Sequence, residues 1–356
     1  MSIVKLVRPE IQTLHAYEAA EQVDDTIRLN ANESPRRSTV GNFRRPLNRY
    51  PEVRPQNLQR ALAKRFGCAP EQLLVTRGSS EAIDLVVRSF CRAGIDSVLM
   101  TSPSFSMYRH YAEVQGANVI EVRMRADQDF AIDVDAILAA CDETTRLIFV
   151  CSPNNPTGAT LPRAELERLL EVRGEASAIV IDEAYVEFGD KASACELLQR
   201  YDNLLVLRTL SKALGFAGAR CGAVAGPVPV IRLLGAVQAP YALATPVVEC
   251  VEDALEADQL ELARETIGII VGERERLAQA LVGYEFVTKV WPSDANFLLI
   301  RVADAAGVMQ RCMEEKVLLR HFGGDLDDCI RISIGSPEEN TRLLRALDTL
   351  KENNDG

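Results

Sequence analysis

The sequence has no run of 18 apolar residues, and its opening stretch MSIVKLVRPE lacks the continuous apolar segment of a secretory signal. We therefore expect a protein that is neither secreted nor membrane-spanning, and we predict a cytoplasmic location. Basic residues are fewer than acidic ones. The sequence has 40 lysines and arginines and 51 aspartates and glutamates, which gives a formal net charge of −11. Because no basic stripe occurs either, we predict no nucleic-acid partner, although a local positive cluster can still bind a small anion.

Histidine is scarce, and cysteine lacks the spacing of a metal or redox motif. The three histidines, His15, His110 and His321, lie far apart in sequence, so we expect neither a zinc site nor a Ser-His-Asp triad and predict no metal. The nine cysteines include no C-x-x-C pair, and most lie in apolar runs. This pattern favours reduced thiols in a cytosolic protein over a disulfide framework.

The length of 356 residues exceeds the size at which a single core usually stops growing, so two domains are expected. The composition, 47% hydrophobic and 26% charged, is ordinary for a globular protein. We predict a large domain over residues 40–250. The segments 1–39 and 251–356 are predicted to form an N-terminal arm and a small C-terminal α/β domain.

Short apolar runs alternate with amphipathic helical segments through the large domain. Two such helices are predicted over residues 79–92, with Ser79 or Ser80 as N-cap, and over residues 161–171. Strands that are apolar throughout indicate an α/β fold, with a mostly parallel sheet covered by helices on both faces. The predicted strands are LLVT (73–76), SVLM (97–100), NVIEV (118–122), LIFV (147–150), AIVI (178–181) and LLVL (204–207).

The pattern changes after about residue 250. The pattern of residues 251–281 predicts a long, interrupted helical stretch that links the two domains. The smaller domain is predicted to contain strands in ANFLLIRV (295–302), KVLLRHF (316–322) and CIRISIG (329–335), followed by a helix over about 337–351.

Polar motifs follow several of the apolar strands, where ligands of open α/β sheets bind. Gly78 and two serines begin a helix after LLVT, NNPTG (154–158) follows LIFV, and Asp182 directly follows AIVI. The run LRTLSKALGFAGARCG places Lys212 and Arg220 among small and apolar residues. A helix start suits a phosphate, but the spacing matches neither the dinucleotide-binding fingerprint nor a P-loop.

The order of CSPNNPTG, DEAY and RTLSKALGFAGARCG resembles the fold type I enzymes that depend on pyridoxal 5′-phosphate (PLP). LNANESP, LNRYPE and CIRISIGSPEEN resemble the aminotransferase subgroup that contains histidinol-phosphate aminotransferase. This resemblance covers nearly the whole chain. It implies PLP as cofactor, a large domain with a mostly parallel sheet between helices, a smaller α/β domain, and a homodimer with shared active sites.

The resemblance also implies roles for individual residues in cofactor binding. Lys212 would bind PLP covalently and then move a proton at the substrate Cα. Asp182 would pair with the pyridine nitrogen, whereas Tyr185 and Asn155 would contact the ring's 3′ oxygen. Phe105, where family members often carry tyrosine, would stack on the ring. The cofactor phosphate would be held by Arg220, Ser211, Thr209, the backbone of Ser79 and Ser80, and Tyr50 of the neighbouring subunit.

Substrate binding is implied for a second set of residues. Arg331 resembles the family's carboxylate-binding arginine, although its place on an alternating strand also fits a surface residue. Arg320, Tyr17 and Asn32 are candidates for a second anion, the substrate phosphate, and Asn155 faces the same site. Glu183, next to Asp182, is expected to point away from the site and to be structural.

The implied activity is transamination between L-histidinol phosphate and 2-oxoglutarate, giving imidazole-acetol phosphate and glutamate in histidine biosynthesis. Two alternatives share the scaffold: an aromatic amino-acid aminotransferase and a threonine-phosphate decarboxylase. A non-enzymatic alternative is an aminotransferase-like ligand sensor. Such a sensor has little reason to keep Asp182, Tyr185, Lys212 and Arg220 together.

Overall fold

A seven-stranded sheet forms the centre of the computed structural model, which describes residues 3–17, 30–34 and 42–352. Its strand order is β1-β7-β6-β5-β4-β2-β3, and all neighbouring strands are parallel except β7, which is antiparallel to both its neighbours. The mostly parallel α/β fold is thus confirmed. The strands are β1 (Leu73–Thr76), β2 (Ser97–Ser102), β3 (Asn118–Arg123), β4 (Thr145–Cys151), β5 (Ala178–Asp182), β6 (Leu204–Thr209) and β7 (Gly222–Ala225).

Helices cover both faces of this sheet, and β5 shows why its residues are apolar throughout. Ile179 and Ile181 pack into the core on one face, whereas Ala178 and Val180 pack into the core on the other. Because successive side chains of a strand point to opposite faces, burial of both faces requires a continuous apolar run. The helices are α1 (Pro9–Gln12), α2 (Gln56–Phe66), α3 (Gly78–Phe90), α4 (Met107–Gln115), α5 (Val134–Ala140), α6 (Arg163–Arg173) and α7 (Val228–Val237).

Helix α3 begins earlier than its sequence pattern suggested. The predicted N-cap at Ser79 or Ser80 is wrong, because Gly78 is already helical and Arg77 is the N-cap residue. The carboxylate of Glu81 accepts a hydrogen bond from the backbone N–H of Arg77 at 2.6 Å, but no side chain caps the first-turn N–H groups. Both serines therefore lie within the first turn of the helix, where backbone N–H groups lack partners inside the helix.

A second, four-stranded antiparallel sheet has the strand order β10-β11-β9-β8. Its strands are β8 (Val287–Val290), β9 (Phe297–Val302), β10 (Arg320–His321) and β11 (Cys329–Ser333). The accompanying helices are α8 (Thr245–Ala254), α9 (Ala257–Val282), α10 (Ala305–Glu314) and α11 (Pro337–Glu352). The interruption expected within residues 251–281 falls at Leu255 and Glu256, between α8 and α9.

The two sheets lie within the two predicted domains, whose boundaries stay a prediction. Near the N-terminus, Ile3, Val7 and Ile11 pack into the same core as α3, on one face of the large sheet. All nine cysteines are free thiols, and most are buried. No helix among the described residues is both long and apolar enough to cross a membrane.

Candidate active site at the carboxyl edge of the large sheet

A cavity of about 570 Å³ opens where β4, β5 and β6 end. Parallel strands bring their carboxyl ends to one edge, so motifs that are distant in sequence meet there. Most of the predicted site residues line this cavity. They are Ser79, Ser80, Phe105, Asn155, Asp182, Tyr185, Thr209, Ser211, Lys212, Arg220, Arg320 and Arg331.

Asp182, the last residue of β5, is a buried carboxylate in the cavity wall. It accepts hydrogen bonds from the Tyr108 hydroxyl at 2.7 Å and from the Ala184 backbone N–H at 3.1 Å. Burial raises the pKa of Asp182 to about 6, and these two donors together with the nearby Lys212 charge oppose that rise. A cationic nitrogen placed in the cavity would stabilise the ionised carboxylate further.

Lys212 is open to the cavity and lies beside Tyr185, with its Nζ 5.7 Å from the centre of the tyrosine ring. Partial burial lowers the pKa of Lys212, and the positive charges of Arg331 and Arg220 lower it further, whereas Asp182 opposes them. A lowered pKa increases the fraction of neutral amine, the form that acts as nucleophile or base.

Asn155 connects the large sheet to the smaller one. Its side-chain N–H donates to the Tyr185 hydroxyl at 3.3 Å, and its side-chain oxygen accepts from Arg331 on β11. Burial raises the pKa of Tyr185, which keeps its hydroxyl neutral. The Arg331 guanidinium also lines the cavity and pairs with no carboxylate among the described residues, so it retains capacity to bind an anion.

A cluster of hydrogen-bond donors lies at the start of α3. Arg220 adopts the left-handed conformation, with φ of 54°, and its guanidinium lies directly over Gly78. A Cβ at Gly78 would lie 2.8 Å from an Arg220 nitrogen, so a larger residue there would displace the guanidinium from this position. Arg220 donates to Ser211 Oγ at 3.4 Å, and Ser211 Oγ lies 2.9 Å from Thr209 Oγ1. These donors and the dipole of α3 converge on one place suited to a phosphate.

Three predicted residues do not line this cavity. Tyr50 is half exposed and stacks on Tyr241 with ring centres 4.6 Å apart. Tyr17 contacts the same ring at 6.1 Å and borders a separate cavity of about 360 Å³. Asn32 is exposed with a left-handed φ of 54°. Sequence similarity alone placed Tyr17 and Asn32 at the substrate, and the structure does not bring them into this chain's cavity.

Several cavity residues were missed by the sequence analysis. Tyr108, which is buried and donates to Asp182 from outside the cavity lining, was missed as well, and no local pattern links these two residues. Cys151 ends β4, at the same edge as Asp182, and its position was therefore deducible. Phe322 lies two residues after Arg320, on the same side of an extended segment. The prediction for Glu183 is confirmed. Its carboxylate points away from the cavity and accepts hydrogen bonds from the Ser193 hydroxyl and the Ala194 backbone N–H.

Residues 22–347 match the profile of the family described as aminotransferase class I and II. A relative, the histidinol-phosphate aminotransferase of Xanthomonas campestris pv. campestris, is 43% identical over 360 residues, which cover 99% of this chain and 98% of the relative. The chain belongs to the class I and II aminotransferase family. As a member of that family it is a PLP-dependent enzyme.

Solved structures show how widely this aminotransferase fold is shared. The histidinol-phosphate aminotransferase from Clostridium acetobutylicum superposes with a TM-score of 0.78 at 24% identity, covering 86% of this chain and 92% of that one. An L-threonine-O-3-phosphate decarboxylase from Porphyromonas gingivalis reaches 0.72 at 25% identity, with coverage of 86% and 91%. The fold of the aminotransferase is thus established by these likenesses, whereas its substrate requires an argument from the site.

Proposed function

We propose that the protein catalyses transamination between L-histidinol phosphate and 2-oxoglutarate, giving imidazole-acetol phosphate and glutamate. The observation that carries this proposal is that two sets of residues line the same cavity, one suited to the cofactor and one suited to the substrate. The Lys212–Asp182 set suits the cofactor, and the two arginines Arg320 and Arg331 suit an anionic substrate. The similarity to histidinol-phosphate aminotransferases over nearly the whole chain supports the same interpretation.

The chemistry of the cavity fits PLP at three points. Arg220, the start of α3 and the Thr209–Ser211 hydroxyl pair suit its phosphate. The buried carboxylate of Asp182 suits a protonated pyridine nitrogen, and the lowered pKa of Lys212 suits reaction with an aldehyde. We propose that these groups hold the cofactor, with Phe105 against the ring face and the Ser79 and Ser80 backbone at the phosphate.

The side chains around the reacting atoms would then have three distinct roles: proton transfer, positioning of the cofactor ring and binding of the substrate anion. PLP, when bound, supplies an electron sink that stabilises negative charge at the substrate Cα. We propose that Lys212 removes the proton from this Cα, since its lowered pKa keeps the amine available as a base. Tyr185 and Asn155, joined by their hydrogen bond, would position the ring's 3′ oxygen. Arg331, which lines the cavity beside Asn155, would bind the substrate anion.

A second copy of the chain is proposed to complete the site. Tyr50 is half exposed and lies outside this chain's own cavity, where it stacks on Tyr241. Exposed stacked tyrosines are typical of interface residues, because they bring apolar area and a polar hydroxyl together. We propose a homodimer in the cytoplasm, in which Tyr50 contacts the cofactor phosphate of the partner. Tyr17 and Asn32 stay candidates for binding the substrate phosphate.

A three-substrate assay tests the proposed function. Purified protein loaded with PLP is incubated with 2-oxoglutarate and with histidinol phosphate, phenylalanine or threonine phosphate, and keto products, glutamate and carbon dioxide are measured. We expect transamination of histidinol phosphate as the fastest reaction. No turnover of histidinol phosphate refutes the proposal, and release of carbon dioxide from threonine phosphate assigns the protein to the decarboxylases instead. Cofactor binding without turnover of any substrate indicates a sensor.

The proposed role of Lys212 is tested separately. Borohydride treatment followed by mass spectrometry should place the cofactor on Lys212, and an adduct elsewhere contradicts the assignment. The variant Lys212→Ala should lose transamination by at least about a thousandfold while keeping its fold, because the nucleophile and the base are removed together. Lys64→Ala, an exposed lysine on α2, is the matched control and should retain activity.

A further inference from the structure

Two arginines face each other across the edge of the small sheet. Arg320 on β10 and Arg331 on β11 are cross-strand partners, and both line the active-site cavity. Like charges directly opposite each other destabilise a sheet. Among the described residues, neither arginine forms an ion pair with a carboxylate. The pair is therefore suited to an anion. The hydrogen bond to the Asn155 side-chain oxygen positions Arg331, whereas the contacts that position Arg320 have to be found elsewhere.

The ring of Phe322 is shared by both guanidinium groups. The Cζ atom of Arg320 lies 5.7 Å from the ring centre, and the Cζ atom of Arg331 lies 5.8 Å from it. Arg331 also lies 5.3 Å from the centre of the Phe297 ring. Distances below about 6 Å allow a favourable cation–π attraction. Phe322 is itself fixed, since it packs against the core on one face of the large sheet.

We propose that Phe322 is a specificity-determining residue that holds Arg320 and Arg331 as a two-pronged receptor for a dianion. This inference rests on the proposed function and deepens it. A phosphate carries more charge and more acceptor oxygens than a carboxylate, so it can use both guanidinium groups at once. A carboxylate needs one bidentate arginine, and Arg331 alone supplies that. Loss of the ring would free the exposed Arg320 to move away from its like-charged neighbour.

The test compares Phe322→Leu with Phe322→Tyr in the PLP-loaded enzyme. Leucine keeps an apolar side chain but removes the aromatic face, whereas tyrosine keeps that face. In Phe322→Leu we expect KM for histidinol phosphate to rise about tenfold with kcat little changed, from the loss of two cation–π contacts. The KM for phenylalanine, which carries only a carboxylate, should change less than about twofold. Phe322→Tyr should keep both values near those of the wild type.

Binding of simple anions gives a readout independent of turnover. Inorganic phosphate and acetate are titrated against the loaded enzyme, and the change in cofactor absorbance is followed. Phosphate affinity should fall about tenfold in Phe322→Leu and acetate affinity should not. The control is Phe286→Leu, which removes a ring from the small-domain core, where it contacts Tyr284, and should leave both affinities unchanged.

Each remaining outcome decides the question. Equal effects of Phe322→Leu on phosphate and acetate, or no effect on either, overturn the inference and make the ring a structural filler. If Phe322→Leu fails to fold, a Phe322→Tyr enzyme with reduced phosphate preference also overturns it, and one with retained preference supports it. A wild-type enzyme inactive on histidinol phosphate defeats the proposed function only, because the anion titration still tests Phe322.

Discussion

The buried ion cluster behind the active site allows a quantitative prediction. Arg208, one residue before Thr209 at the end of β6, has only 5% of its side chain exposed. Its guanidinium lies 2.6 Å from Glu187 and 3.4 Å from Glu183, and 4.5 Å from the centre of the Phe66 ring. Removing one partner of a buried ion pair typically destabilises a protein by about 3–5 kcal/mol. We therefore predict that Arg208→Met lowers the free energy of unfolding by about 3–5 kcal/mol.

The carboxylates of Glu183 and Glu187 contribute unequally to this loss of stability. Glu183 keeps hydrogen bonds from Ser193 and Ala194, whereas the other oxygen of Glu187 already has no partner. Most of the penalty should thus come from Glu187, left buried without its cation. The double variant Arg208→Met/Glu187→Gln should recover about 1–3 kcal/mol relative to the sum of the single variants.

The loss of unfolding free energy in Arg208→Met should also depend on pH. Burial raises the pKa of Glu183, and the Arg208 charge opposes this rise, so the pKa climbs further in Arg208→Met. A carboxyl group with a raised folded-state pKa binds more protons in the folded state, so stability falls as pH rises through the window between its unfolded and folded pKa values. The loss of unfolding free energy caused by Arg208→Met should therefore be larger at pH 8 than at pH 5.

Urea denaturation followed by tryptophan fluorescence measures these differences. Trp291 is the sole tryptophan, it is buried, and its ring lies 5.0 Å from Phe130 in the core on one face of the large sheet. Exposed Arg264→Met, which removes an ion pair at the surface, is the control and should cost less than about 1 kcal/mol. A loss below about 1 kcal/mol for Arg208→Met, or one that does not change with pH, refutes the reasoning.

Three further sets of variants probe the cofactor site. Gly78→Ala should weaken PLP binding more than tenfold in a fluorescence titration, because its Cβ would meet Arg220, whereas Gly215→Ala, with a similar positive φ but open space around it, should not. Tyr108→Phe removes a donor to Asp182 and raises the pKa of that carboxyl above about 6, so activity at pH 6.5 relative to pH 8 should fall, and an unchanged pH profile contradicts this. Inactive Lys212→Ala and Tyr50→Ala proteins, when mixed and refolded together, should regain part of their activity if sites are shared between subunits, and a mixture that stays inactive argues against shared sites.

Much of the fold and the site followed from local sequence pattern. Strands buried on both faces are apolar throughout, and the polar residues after them meet at one edge, so the placement of Asp182 and Lys212 at one cavity followed from the sequence. Their proposed roles came from the family resemblance. Strand β7 was missed because glycine and alanine give no strand signal. The strand β8 was missed because its residues are only half-buried or exposed.

The remaining gaps concern contacts between distant segments. The bond from Tyr108 to Asp182 joins residues 74 positions apart, and no local pattern encodes it. The sharing of Phe322 by two arginines depends on the β10–β11 register, which sequence periodicity does not determine. Similarity to a family suggested Tyr17 and Asn32, but it carried no information on where this chain places them.

The short antiparallel strand β7 has a consequence for how the cofactor is received. Gly222 pairs with Thr209 on one side and with Thr76 on the other, so the twelve residues from 210 to 221 form a loop whose two ends are tied to the same sheet. The entropy of closing that loop is lost when the sheet forms. The segment bearing Lys212 and Arg220 is therefore closed as part of folding, and if it holds PLP as proposed, the affinity for PLP does not include the entropic cost of closing it.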